Sequence, residues 1–444
     1  MTTKSCIIYC TGIIIAQLLI ITGIALVVTQ VFQAVLHNLV KKQIVLKEGA
    51  DVFKSWQNPP PPVYMEYYFF NVTNAEAVIQ GGKPSVEEIG PYTYREYRSR
   101  ENVTFLENGT MVSALSPKTF VFLRDMSSGD PEVDLITTVN IPAVKNATSD
   151  DQFVFHTGIQ DYKDFGKIVS WNGESKMKWW SSNESNMISG SDGSSFHPLI
   201  GKNESLSIFS PDLCRSIYVN FEKEVEIKGI PAYRFSIPSE VLASPEINPA
   251  NTGFCVPAGK CLGTGVLKVS VCRKGAPVVV SFPHFYQADQ KYVDAIEGLS
   301  PNKDDHETFL DINPLTGFPV RASKRAQINI LVDRIVGFPI TKNLNQTIFP
   351  VMFINESVVI DDASAKRVRT LLLISTIVTN FPLIIVGLGA LLLGVLIILL
   401  CRSRMQKKPI AKEDTAYTQV GEKPEESCEN NSCANIQLKT YTST

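Results

Sequence analysis

Two long apolar runs bracket a chain whose middle alternates. Residues 5–36 contain no Asp, Glu, Lys or Arg, and neither do residues 371–401. At 1.5 Å per helical residue, about 20 apolar residues cross the roughly 30 Å of bilayer hydrocarbon. The pattern predicts one membrane helix over residues 7–28 and a second over residues 377–400, with 381–400 as its most apolar window. A cleaved signal peptide is the rival reading of the first run, with an apolar core of about 7–15 residues before a small-residue cleavage site. This run is longer and ends in VVTQVFQAVL, which favours an uncleaved anchor.

Past the first run, AVLHNLVKKQIVLKEGADVFKSW keeps a helical spacing of apolar residues and predicts a continuing helix, stopped by NPPPP at 58–62. Proline lacks the N–H and clashes with the preceding turn. From residue 63 the period changes. VYMEYYFFNV, TYREYRSRENVTFLENGTMVSALSPKTFVFL, DLITTVNIPAV, KIVSWNG, SIYVNFEKEVEIKGIPAYRFSIP, GVLKVSVC, APVVVSFPHF, RASKRAQINILV and IFPVMFIN are short aromatic and β-branched runs separated by turn residues. They predict a large, mainly antiparallel β domain with a few short helices. A β core of this size can enclose a cavity. Residues 402–444 are polar and poor in large apolar side chains, so a disordered tail is expected.

Charge and cysteines assign compartments. Among 444 residues, 42 Lys+Arg nearly balance 44 Asp+Glu, which argues against a nucleic-acid partner. Cys214, Cys255, Cys261 and Cys272 cluster in the middle and suggest two disulfides in an oxidising compartment. Cys6, Cys10 and Cys401 touch the apolar ends, where S-palmitoylation is the candidate chemistry. Loop charge does not settle orientation, because basic residues flank both spans on both sides. Eight N-x-S/T acceptors do: Asn71, Asn102, Asn108, Asn146, Asn183, Asn203, Asn345 and Asn355 all lie between the spans. The expected topology is a hairpin: residues 1–6 cytosolic, 32–370 luminal or extracellular, and 402–444 a cytosolic tail.

Catalytic patterns are scarce. No GxSxG, HExxH or P-loop is present, and no enzyme, metal or cofactor is expected. DDHETFLD at 304–311 could be a metal or acid–base site, but an exposed polar turn before a strand is the simpler reading, since no Cys or His partner stands at metal spacing. His156, His197 and His284 adjoin aromatic residues; packing outweighs a pH-sensing role. Gly12 and Ala16, and Ala390 and Gly394, are small residues four apart, a spacing that lets membrane helices approach closely. Tyr417 and Val420 bound a tyrosine-x-x-apolar tetrapeptide of the kind clathrin adaptors read.

Several stretches together resemble the class B scavenger receptor family, and its lysosomal member more than its lipoprotein receptors. They are PPPPVYMEYYFFNVTNAEAV (59–78), EEIGPYTYREYR (87–98), WNGESKMKWW (171–180), DGSSFHPLI (192–200), DLCRSIYV (212–219), GFCVPAGKCLGTGVL (253–267), SFPHFYQAD (281–289), DDHETFLDINPLTGFPVRASKRAQINI (304–330) and FPVMFINES (349–357). The resemblance implies a β-barrel-like luminal domain with flanking short helices and an internal lipid tunnel, which the apolar strands and residues 235–238 would line. It implies the pairing Cys214–Cys272 and Cys255–Cys261. It also implies an apical helical bundle that carries partner recognition, chiefly of the lysosomal hydrolase β-glucocerebrosidase. Here Ile141 and Pro142 are followed only by AVKNATSDD before the next strand, too short for a bundle. The leading expectation is a lysosomal or endosomal membrane glycoprotein that binds and conducts lipid, cholesterol or phospholipid, with the plasma membrane as the alternative site. A hydrolase-sorting receptor and a structural membrane glycoprotein are the other readings.

Overall fold

A computed structural model describes residues 3–139, 151–333, 342–343 and 345–405. Asn146, the 141–150 link, and the tail with Tyr417 and Val420 lie outside the described residues. Helices are α1 (Thr3–Thr29), α2 (Val31–Gln43), α3 (Asp51–Gln57), α4 (Ala75–Ile79), α5 (Gln290–Asp294), α6 (Lys303–His306) and α7 (Asp362–Met405). Strands in the first half are β1 (Val63–Val72), β2 (Val86–Tyr97), β3 (Glu101–Leu106), β4 (Met111–Ser116), β5 (Thr119–Phe122), β6 (Asp151–His156) and β7 (Ile168–Trp171). Those that follow are β8 (Leu206–Ser210), β9 (Arg215–Ile227), β10 (Ile230–Ser236), β11 (Val266–Lys268), β12 (Val278–Ser281), β13 (Phe309–Ile312), β14 (Pro319–Val332) and β15 (Thr347–Val359).

The strands pair antiparallel in two sheets. The larger runs β5-β2-β1-β15-β14-β13-β10-β9-β8, with β12 and β11 branching from β14. Among the described residues its two edges, β5 and β8, do not pair, so the sheet is open where a barrel-like closure was expected. The smaller sheet is β3-β4-β6-β7. Its inner face, Val112, Ala114, Phe153 and Phe155, packs on Phe53 and Trp56 of α3. Arg100 lies over the Trp56 ring, 4.4 Å from its centroid, and reaches Asp192 at 2.6 Å. Phe235, expected to line a tunnel, is fully buried in a cluster with Phe196, Val219 and Ile312.

α1 and α7 are long and apolar enough to cross a membrane. The single helix expected to follow α1 is broken twice. Gln30 takes a left-handed conformation (φ 50°) between α1 and α2, and residues 44–50 separate α2 from α3. An L-residue in that conformation ends the i→i−4 ladder, and apolar spacing carries no sign of it. At its own start α7 is capped: the Asp361 carboxylate accepts from the Ser364 N–H at 2.9 Å. Lys228, in the turn between β9 and β10, ties on through Asp362 at 2.7 Å.

The chain forms two compact units, Thr22–Val386 and the two chain ends up to Ile21 and from Gly387. Within the second, small residues do meet, but not the full set expected. Gly12 faces Leu396, and a Cβ built on Gly389 would stand 3.0 Å from the Ala16 carbonyl and 2.8 Å from Ile20. Ala390 is exposed and nothing lies within 4 Å of a Cβ at Gly394. Cys6, Cys10 and Cys401 are exposed and unbridged.

Candidate functional site

β1 is apolar on both faces, and the two faces have different partners. Phe70 is fully buried with Val86, Phe285 and Phe349, while Tyr68 stacks on Phe353 at 4.4 Å. The opposite face turns Tyr67 and Phe69 into a cavity of about 490 Å³. Tyr92 and Tyr94 of β2, Phe120 of β5 and Met352 of β15 complete most of its wall. Edge-to-face contacts order the rings: Tyr67 on Tyr94 at 5.6 Å and Phe69 on Tyr92 at 5.7 Å. The volume falls in the range of small-molecule sites, about 300–1,000 Å³. Asp134 is the carboxylate in the lining. It accepts from the Tyr92 hydroxyl at 2.8 Å, which holds the carboxyl below its usual range, while burial and this bond push the phenol up to about 12. An aromatic wall with its one acid tied down suits an apolar guest.

Charges gather just beyond that wall. Glu96 and Glu356 face Arg98 at 3.0 and 2.5 Å, and Lys324 joins Glu356 to Asp212 at 3.4 and 3.2 Å. Burial raises Glu356, but Arg98 and Lys324 outweigh it and hold the carboxyl well below the ordinary range. Burial and the nearby Glu96 push the Tyr67 phenol up to about 12, keeping that wall neutral.

A histidine pair stands on the other face of the same strands. His284 and His306 stack with centroids 4.5 Å apart, beside Phe70 and Phe353. Each Nδ1 accepts a backbone N–H, from Ser300 and Asn302, and His284 Nε2 meets Glu88 at 2.7 Å. Burial first, then His284, lowers His306 to about 4. The expected exposed turn at 304–311 therefore holds only for Asp304 and Asp305. His306, Glu307 and Asp311 are buried, and Asp311 is shared by Arg234 and Arg321 at 2.7 and 2.9 Å. Among the described residues, no group of His, Cys, Asp and Glu has the makings of a metal site. His197 pairs with Glu204 at 2.9 Å, a packed and partnered role, and His156 is half-buried in β6.

Both cysteine pairs are joined as expected, Cys214–Cys272 and Cys255–Cys261. Of the glycan acceptors, Asn102, Asn108, Asn183, Asn203 and Asn345 are exposed, whereas Asn71 and Asn355 are half-buried. Asn355 sits mid-strand, its amide nitrogen on Glu66 at 2.5 Å. The cavity residues were not singled out from the sequence. The available signal was a β1 strand apolar at both parities, which demands an apolar partner on each side.

The CD36 family model matches the chain over residues 14–149 and 143–400. Lysosome membrane protein 2 of Homo sapiens is 43% identical over 447 residues, spanning 86% of this chain and 93% of that protein. The protein of that name from Rattus norvegicus is 42% identical over 90% of this chain and 96% of its own length. Scavenger receptor class B member 1 of Bos taurus is 30% identical over 88% of this chain and 89% of that protein. Matched along most of its length, and by relatives matched along most of theirs, the chain belongs to the CD36 family.

Proposed function

We propose that this protein is a double-anchored lysosomal or endosomal membrane glycoprotein that binds lipid in the β1–β2–β5–β15 cavity and passes it to the bilayer. The carrying observation is the cavity itself: about 490 Å³ walled by Tyr67, Phe69, Tyr92, Tyr94, Phe120 and Met352, with Asp134 engaged by Tyr92. Apolar surface buried there leaves water at about 25 cal/mol per Å², which favours a sterol or an acyl chain over a charged guest. Transfer is passive; the cavity shields the guest while it diffuses. The likeness to Lysosome membrane protein 2 supports the lysosomal membrane. In this reading residues 32–370, with their glycan acceptors and disulfides, face the lumen, Tyr417 and Val420 are offered to a clathrin adaptor, and Cys6, Cys10 and Cys401 to acylation.

Recognition of β-glucocerebrosidase is the weaker reading. The family match breaks in two at 143–149, where the apical bundle would stand. The test of the lipid reading is exchange of labelled cholesterol and phosphatidylcholine from donor vesicles to the full chain in nanodiscs. Saturable uptake is expected, with at least about tenfold loss in Met352→Trp, which sets a bulkier ring in the cavity wall and narrows it. Uptake no greater than that of heat-denatured protein overturns it.

A further inference from the structure

The loop closed by Cys255–Cys261 borders a second recess, of about 40 Å³. Arg215, the first residue of β9, lines it and is 6% exposed. Of the two arginines buried in this unit, Arg100 has Asp192. Among the half-buried ones Arg98 has Glu356 and Arg234 and Arg321 share Asp311, while Arg325 donates to the Asp304 and Glu307 carbonyls and Arg95 lies over the Tyr64 and Tyr97 rings. Arg215 forms no ion pair among the described residues. Its partners are neutral and distant: Nε donates to the Ser216 carbonyl at 3.3 Å, and Nη2 to the Asn251 side-chain oxygen at 3.4 Å. The Phe254 ring lies 3.6 Å from the guanidinium carbon. Removing a guanidinium from water without a counter-charge costs several kcal/mol, and a ring face returns only about 2 of them. Burial lowers the group to about 9.

The remaining lining supplies more positive charge and no acid. The exposed Lys260 and half-buried Lys268 border the recess, neither is in an ion pair among the described residues, and no Asp or Glu lines it. A water needs about 10–15 Å³ of such space, so the recess holds roughly three heavy atoms. That is the size of a carboxylate or of the oxygen face of a phosphate, the groups a guanidinium fork matches.

We propose that the recess beside the Cys255–Cys261 loop is a small-oxoanion site, in which Arg215 takes a carboxylate or phosphate group with Lys260 and Lys268 alongside. The site stands apart from the aromatic cavity and does not depend on it. A free anion and an anionic lipid headgroup present the same chemistry.

The test uses the full chain in phosphatidylcholine nanodiscs, labelled with phenylglyoxal and read by peptide mass spectrometry. Inorganic phosphate or acetate is expected to protect Arg215 about tenfold over chloride at equal ionic strength, the equivalent of one charge-assisted contact. The exposed Arg273, held by the Pro211 and Asp212 carbonyls, serves as the unprotected control. Protection by phosphatidic acid in the nanodisc, with none from free phosphate or acetate, assigns the anion to a headgroup. Lys260→Gln with Lys268→Gln removes the two flanking charges while keeping Arg215, and is expected to weaken protection severalfold. If Arg215 takes no label, a saturable phosphate-dependent rise in unfolding temperature, reduced in the double variant and lost in Arg215→Gln, supports the site equally. Equal protection by chloride, protection indifferent to the two lysines, or neither response overturns the proposal.

Discussion

Protonating His306 breaks two arrangements at once. Its Nδ1 is the acceptor for the Asn302 N–H, and a second imidazole lies against its face. The groups around it are His284, Glu88, Asp305 and Arg325. With a folded value of about 4 against 6.5 unfolded, the unfolded chain binds more protons between those limits. Stability is therefore full above about pH 6.5 and falls as pH drops towards 4. At about 1.4 kcal/mol per pK unit the loss reaches roughly 3 kcal/mol. Glu356 acts lower on the scale: its depressed carboxyl stabilises above the unfolded value, about 4.3, and that contribution disappears on further acidification. Thermal unfolding of the intact chain from about pH 7 down to about pH 2 should show both phases. His306→Phe should flatten the upper one alone, and an unchanged slope would count against the pair. Glu356→Gln should lower stability at pH 7 by about 2–3 kcal/mol, since it leaves Arg98 and Lys324 facing a neutral group.

At the level of elements, two cross-links of unequal reach can be compared. Cys214–Cys272 joins residues 58 apart, and Cys255–Cys261 residues 6 apart. Loop-closure entropy assigns about 4 kcal/mol to the first and about 2 to the second. Paired Cys→Ala variants should order that way in denaturant midpoint. The membrane helices offer another contrast. Gly389→Ala places a methyl against the Ala16 carbonyl and Ile20, and should cost about 1–3 kcal/mol of stability in a lipid disc. Gly394→Ala meets nothing and should be neutral; equal effects would refute the crossing. Much of this layer was legible from period alone. β1 matches its predicted run residue for residue, and β9 and β10 flank the KG turn at 228–229. The failures have local causes. DLITTV gives no strand over 134–139; its backbone meets the end of β1 only at Thr137, whose carbonyl accepts from the Val72 N–H and whose N–H donates to the Asn71 side chain. β13 hid behind its charges: Asp311 is tolerable in the core only through Arg234, 77 residues away, and Arg321. The Gln30 break and the choice of Gly389 over Ala390 depend on backbone conformation and on which side of a helix meets its partner, and uniform apolarity records neither.

For the whole molecule, the open sheet raises a question that its strand count does not answer. β1 and β15 separate a packed core, around Phe70 and Phe349, from the aromatic wall of the cavity, around Phe69 and Met352. A cavity without a guest forfeits dispersion contacts on one side of every ring that lines it. A guest that binds only the folded state restores them and stabilises by RT ln(1 + [L]/Kd), about 2.7 kcal/mol at a hundredfold excess over Kd. If the proposed lipid is the guest, it should thus stabilise the fold. Full chain reconstituted in amphipol, which avoids detergent entering the cavity, should unfold at higher temperature after loading with cholesterol or phosphatidylcholine. Met352→Trp, which narrows the cavity, should respond less to lipid than the unaltered chain. If lipid exchange is saturable yet stability ignores the lipid, the guest crosses by a route outside this cavity. If stability responds while exchange is absent, the cavity is a static site, and the protein stores lipid without delivering it.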